Sequence, residues 1–225
     1  MTFEHWLKTW SYLPTFLQGL STNLAILGAL LSLGFFVGIL VALLELYAPL
    51  PFRLLGIAYS WVFRSIPEIL LLLLVWLGPA RFGLPISPFW AAVIALGLRS
   101  SAYQAEIFRG ALQAIPSGQT LAARALGLSA FGTIRYVLLP QALRLSLAGW
   151  GNEFAVVLKD TTLAYAIGVV EVMQKARFIS SREFPLTFPA YVTVAILFLF
   201  LTYAGLFLLG KIEKRLRIPG LEARR

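Results

Sequence analysis

Three polar side chains stand inside stretches that are otherwise apolar: Arg99, Asn152 and Glu153. Taking either sign of charge out of water is costly unless an opposite charge and hydrogen bonds replace the lost hydration. Such residues therefore mark a compensated pair or a site for a charged solute. A zwitterion needs both signs: Arg99 is available for a carboxylate, and Asn152 and Glu153 for an ammonium or a cationic side chain. Two arrangements satisfy the same residues without a ligand. In one, Arg99 and Glu153 neutralise each other; in the other, Arg99 joins Glu106 and Arg109. Arg64 and Glu68, one helical turn apart, read as a structural ion pair.

Bond-making chemistry has little to work with. The chain has no cysteine and a single histidine, His5, which argues against thiolate and histidine-rich metal sites alike. There is no phosphate loop of the form G-x-x-x-x-G-K-S/T, so this chain is not itself an ATPase. H-E-x-x-H and G-x-S-x-G are also absent, and no membrane-depth serine is coupled to a lysine base. A membrane-embedded enzyme and a pure scaffold are the alternatives to transport.

The elements that position these residues are membrane helices. Residues are 59% hydrophobic and 13% charged, and the mean hydropathy is +0.82, more apolar surface than a soluble domain of this length can hide. Spans are expected at about 17–46, 55–79, 88–108, 137–158 and 185–210, each long enough for a hydrocarbon layer of roughly 30 Å at about 1.5 Å per residue. Gly34 and Gly38 form G-x-x-x-G in the first span, which invites close helix contact. Pro67 kinks the second span or begins it. The fourth is interrupted at Gly149–Glu153, where backbone is expected to line a cavity. Residues 159–187 read as an outer hairpin, with a helical stretch from Leu163 to Met173.

Residues 1–16 mix Trp6, Trp10 and Tyr12 with Glu4, His5 and Lys8, which fits a surface helix at headgroup level. They lack the pattern of a cleavable signal peptide and are expected to be retained. The net charge is +9, but the basic residues follow membrane topology rather than a nucleic-acid patch. With five spans and the C-terminus inside, twelve Lys and Arg fall on the cytoplasmic side and five outside, so the N-terminus is expected out.

The longest polar interruption, Glu106 to Arg144, carries its own punctuation. Pro116 and Ser117 open a short helix, Gly127 supplies a left-handed stop, and Ser129 caps the next turn. Leu121, Ala122, Ala125, Leu126 and Leu128 put small and aliphatic side chains on one face. That face is too small for a core but suits a groove on a partner protein.

This segment resembles the EAA loop of the inner-membrane permease subunits of ABC importers. In that pattern Glu-Ala-Ala is followed after three residues by Gly, then after nine by Ile, and after one more by Leu-Pro. Leu121, Ala122 and Ala123 stand at the Glu-Ala-Ala positions, Gly127 at the glycine, Val137 at the isoleucine, and Leu139 and Pro140 at the end. Leu121 departs from the pattern, so an ion pair from that position is missing here. AYQAEIFRG (102–110), GQ at Gly118 and Gln119, LPQALR (139–144), KDTTL (159–163) and FRSIP (63–67) are similar to the polar amino-acid branch.

The resemblance implies an all-α membrane protein of the MetI-like type I ABC importer fold: a single permease domain over residues 1–225, with five transmembrane helices and a cytoplasmic coupling-helix loop at about 109–136. It implies a permease that takes polar amino acids from an extracytoplasmic binding protein, set among lipids in a bacterial or archaeal cytoplasmic membrane. Its partners would be an ABC ATPase dimer and a second permease subunit, identical or homologous. No cofactor is expected in this chain; ATP and Mg belong to the ATPase. Gly118, Leu121, Ala122, Ala123, Gly127 and Pro140 take the coupling role, and Arg99, Asn152, Glu153 and Asp160 the substrate role. Lys159 and Asp160, in the KDT motif, line the outer end of the path or brace the hairpin. Glu153 favours basic or neutral amino acids, since a buried acid repels acidic ones. A permease for methionine, an osmolyte or a peptide is the alternative within transport.

Overall fold

The computed structural model describes residues 2–216, and among these there are helices but no strand. Arg217, Arg224 and Arg225, three of the twelve basic residues assigned above to the cytoplasmic side, lie outside the described residues. A short amphipathic helix, α1 (Phe3–Ser11), precedes α2 (Leu13–Tyr47). Pro14 suits the opening of α2, where a missing N–H costs nothing, and Ala48, extended ahead of Pro49, ends it. α2 and α5 (Pro88–Gln113) make the most extensive helix pair in the chain.

Their closeness follows from side-chain size. A Cβ on Gly38 would lie 3.0 Å from the Ser101 carbonyl oxygen, and one on Gly34 would meet the Gln104 side chain. In lipid, helices associate by such packing and by hydrogen bonds rather than by hiding apolar surface from water. The G-x-x-x-G pair is thus consumed inside the chain. It seats α5 on α2.

The expected second span is two helices, α3 (Leu50–Ser65) and α4 (Glu68–Ala80), bent by 106° at Ile66–Pro67. Ile66 is extended, as the residue before proline prefers. α2 and the stretch Phe184–Leu216 are each long and apolar enough to cross a membrane, and α3 with α4 passes the same test as a bent pair.

After α5 come α6 (Ser117–Ala125) and α7 (Ala130–Thr133), a π-helical turn (Ile134–Leu138), α8 (Leu139–Leu145) and α9 (Leu147–Asp160). Pro140 explains the π turn: its ring cannot stack on an ordinary α turn, and the wider turn before it absorbs the clash. Gly149–Glu153 does not interrupt the helix as expected; it lies within α9. Gly149 is small because Ile107 of α5 lies against it, where a Cβ would sit 2.9 Å from Ile107 Cγ2. Gly149 thus serves helix packing, and Gly151 is buried beside Leu206 of the last helix instead of exposing backbone.

The segment expected as an outer hairpin also differs from the expected helix at Leu163–Met173. A 3-10 helix (Thr161–Ile167) ends at Gly168, whose φ of +90° stops it, and α10 (Val172–Arg182) begins after Glu171. Glu171 is fully buried and accepts from the Met173 and Gln174 amides. Asn23 of α2 donates to Glu171 (2.9 Å) and Thr161 (3.0 Å) and accepts from the Val172 amide (3.1 Å), which ties the hairpin to α2. α11 (Thr187–Leu216) closes the described chain and packs on α9 and α10.

Candidate functional site

α5 carries Arg99 into the bundle, the Pro67 break brings in Glu68, and the last residue of α9 brings in Asp160. Arg99 Nη2 lies 2.5 Å from Glu68 Oε1, and Nη1 donates to Asp160 Oδ2 at 3.2 Å. The guanidinium also rests 4.7 Å from the Tyr103 ring centroid, a cation–π contact. Its side chain is 12% exposed, so the charge is held by partners rather than by solvent. One cation between two carboxylates leaves the cluster net acidic.

Arg99 therefore pairs neither with Glu153 nor with the Glu106–Arg109 group, which corrects both ligand-free arrangements. Glu153 is buried and accepts from Ser100 Oγ at 2.7 Å. Gln104 Nε2 donates to Ser100 Oγ (3.1 Å), while Gln104 Oε1 accepts from Trp150 Nε1 (2.8 Å). A buried hydrogen-bonded chain thus links α5 and α9. Asn152, one residue from Glu153 on the same helix, is exposed and is not part of this chain. The structure brings Arg99 and Asp160 together and sets Asn152 apart.

Arg64 and Glu68 do not pair with each other. Arg64 Nη1 stands 3.2 Å from Glu106 Oε1, because the bend at Pro67 sends the two residues to different turns of α5. Tyr103 is stacked by Arg64 at 5.3 Å and by Arg99 at 4.7 Å. Glu106 also pairs with Arg109, whose Nε lies 3.4 Å from Glu45 Oε2. Glu45 is 6% exposed and accepts from Ser60 Oγ at 2.7 Å. Sequence reading missed Glu45; the available signal was a lone acid ending a charge-free run from Thr9 to Leu44.

At the other end of α5, Pro116 opens α6 and Gly127, at φ +82°, stops it as its sequence position required. Ser129 Oγ accepts from the Gly132 amide and caps α7. Leu121 and Leu126 are 70% and 84% exposed, and Gly118, Ala122, Ala125 and Gly127 are exposed beside them. Ala123 is buried and Leu128 half-buried. Phe131 and Tyr136 extend the exposed apolar surface past α6. Pro140 is itself exposed, near the start of α8. Together these side chains form one exposed apolar patch, of the kind that marks a protein or membrane contact.

Comparison with known proteins agrees with this geometry. Residues 34–218 match the family model described as the binding-protein-dependent transport system inner membrane component. The glutamine transport system permease protein GlnP of Escherichia coli (strain K12) is 33% identical over 220 residues, 97% of this chain and all of that protein. The arginine transport system permease protein ArtQ of Bacillus subtilis (strain 168) is 36% identical over 165 residues, 73% of this chain and 75% of that protein. A crystal structure of an amino acid ABC transporter with histidines superposes with a TM-score of 0.85 at 35% identity, covering 96% of this chain and all of that one. The inward-facing MetNI methionine ABC transporter shares the fold, with a TM-score of 0.74 at 23% identity and coverage of 90% and 96%. The expected membership and the all-helical MetI-like fold are both borne out. The chain belongs to the family of binding-protein-dependent transport system inner membrane components.

Proposed function

We propose that this chain is the permease subunit of an ATP-driven ABC importer for polar amino acids. The observation that carries the reading is end-to-end relatedness to an amino-acid permease, joined to a net-acidic charge cluster inside the helices. α2, α3 with α4, α5, α8 with α9, and α11 act as five spans, N-terminus out and C-terminus in, in a bacterial or archaeal cytoplasmic membrane. Five spans are too few to enclose a path, so a second permease subunit, identical or homologous, completes it.

The α6 patch of Leu121, Ala122, Ala125 and Leu126 docks in a groove of a separate ABC ATPase, which binds ATP and Mg. Gly118, Ala123, Gly127 and Pro140 hold that patch in shape. An extracytoplasmic binding protein delivers the amino acid. Asp160 and Glu153, with Glu68, favour an α-ammonium or a cationic side chain. Arg99 takes the α-carboxylate when it releases one of its carboxylates, and Asn152 offers a polar contact on the neighbouring face. Purification from the complete operon followed by reconstitution tests this. The chain is expected to come away with an ATPase subunit and to support ATP-dependent uptake of labelled amino acids. Uptake of none of them, from an assembled and ATP-hydrolysing complex, contradicts it.

A further inference from the structure

A second polar site lies at the α6 end of the bundle, away from the Arg99 cluster. α2, α3 and α5 line an open cleft of ≈ 240 Å³ that includes Glu45, Arg53, Ser60, Trp61, Glu106 and Arg109 among its walls. At about 30 Å³ per water, this is room for roughly eight waters. That suits a small headgroup or an amino acid. Both signs of charge face it.

The charges are unevenly committed. Glu45 accepts from Ser60 and stands against Arg109, and Glu106 is shared between Arg64 and Arg109. Arg53 is exposed and makes no ion pair among the described residues. Arg109 Nε is buried without a hydrogen-bond partner, since its approach to Glu45 is close but not aligned. A buried donor left unmade is costly, and an anionic oxygen entering the cleft would satisfy it. On the other side, Glu106 and Glu45 present carboxylate oxygens to an ammonium. The cleft's outer wall, Trp61 and Ile57, is apolar.

We propose that this cleft binds a small zwitterion on the coupling-helix side of the permease, its anionic group on Arg53 and Arg109 and its ammonium on Glu106 and Glu45. Two sources carry that chemistry: a free amino acid arriving from the α6 side, and the ethanolamine phosphate of a membrane lipid. The free-ligand source rests on the reading of the chain as an amino-acid permease; the lipid source does not.

The test uses the permease–ATPase complex without its binding protein, in nanodiscs. In phosphatidylglycerol alone, equilibrium binding of radiolabelled glutamine and arginine is measured. In a mixture with phosphatidylethanolamine, lipid retention is read by native mass spectrometry. One of the two ligands is expected to bind. Arg53→Gln, a change at an exposed and unpaired residue, should weaken that binding about tenfold or more, the range for one lost charge-assisted contact, and Arg53→Lys should restore part of it. Absence of both ligands, or binding indifferent to Arg53→Gln, overturns the inference. Uptake by the complete system is scored separately: uptake without cleft binding overturns only this site. Cleft binding of the lipid without uptake supports the site while contradicting the amino-acid reading.

Discussion

Arg99 of α5 and Asp160, sixty-one residues later at the end of α9, face each other at 3.2 Å, with Glu68 on the other edge of the same guanidinium. Three helices thus meet at one cation. The two carboxylates depend on it more than it depends on either of them. Arg99→Gln leaves Glu68 and Asp160 without their common partner, and removing one member of a buried pair costs roughly 3–5 kcal/mol. Partial exposure of both acids, 33% and 21%, reduces the expected loss to about 1–3 kcal/mol. Asp160→Asn should cost less, because Arg99 keeps Glu68. Thermal unfolding of the assembled complex, compared across the two variants, checks the order.

Gly127→Val forces a β-branched residue to φ +82°, a conformation it adopts badly. A local cost of at least about 1 kcal/mol is expected. ATP hydrolysis should persist while transport falls, because α6 no longer presents one fixed surface. Parallel assays of hydrolysis and uptake separate this from simple loss of assembly.

Leu121→Glu restores the acid of the family pattern at a side chain that is 70% exposed. Stability should stay within about 0.5 kcal/mol of the parent, as for other solvent-facing changes. ATPase turnover should shift modestly and remain coupled. Unchanged turnover would place Leu121 outside the docking surface, and abolished turnover would contradict the expectation that this surface tolerates the acid.

Gly38→Leu pushes a side chain into the Ser101 carbonyl oxygen and the Gln104 side chain. Overpacking of this kind costs about 1–3 kcal/mol, and it separates α5 from α2 where the Trp150–Gln104–Ser100–Glu153 chain runs. The same substitution at Gly28, which has open space around it, should be tolerated. Melting temperatures of the pair of variants give the comparison.

The pairing of Lys8 with Glu183 ties α1 to the segment after α10, and Tyr12 donates to the same carboxylate. The ammonium of Lys8 holds the Glu183 carboxyl below its ordinary value of 4.5, and Glu183 raises Lys8 above 10.5. A depressed carboxyl stabilises above its unfolded pKa and loses that contribution as pH falls through the folded one. A raised amine stabilises below its unfolded pKa and loses that contribution as pH rises through its folded value. The tether is thus intact between about 4.5 and 10.5 and weakens outside that window. Lys8 is exposed and Glu183 half-buried at the edge of the bundle, so the effect is local. Protection of the α1 amides, taken relative to the intrinsic exchange rate at each pH, should fall as the pH drops below 4.5, and Glu183→Gln should remove that dependence.

What could be read from residues alone divides along physical lines. Gly127, Pro116 and Ser129 declare themselves because capping and left-handed backbone are local demands, and the structure places each as expected. The charge-free apolar stretch beginning near Thr9 fixed α2 in the same way. Partner choice was not local. Arg64 and Glu68 sit one turn apart in the chain, yet the bend at Pro67 sends one to Glu106 and the other to Arg99. Gly149 and Gly151 looked like a break and lie within a helix, and Gly149 is a close contact surface, since a glycine's small size and its flexibility leave the same letter in the sequence. Asn23 was invisible as a site residue and Glu45 showed only as a lone acid after a charge-free run, because each gains its partners from helices far along the chain.

The central claim is that the polar groups around Arg99 and Glu153 form the path for a polar amino acid. The direct measurement is selectivity and rate of amino-acid uptake by Glu153→Gln and Arg99→Gln complexes whose folding and ATPase assembly are shown intact. The account predicts that Glu153→Gln weakens uptake of cationic and neutral polar amino acids relative to acidic ones, and that Arg99→Gln lowers uptake of all. Normal selectivity and rate in both variants would contradict it, leaving these residues a compensated brace between α5 and α9.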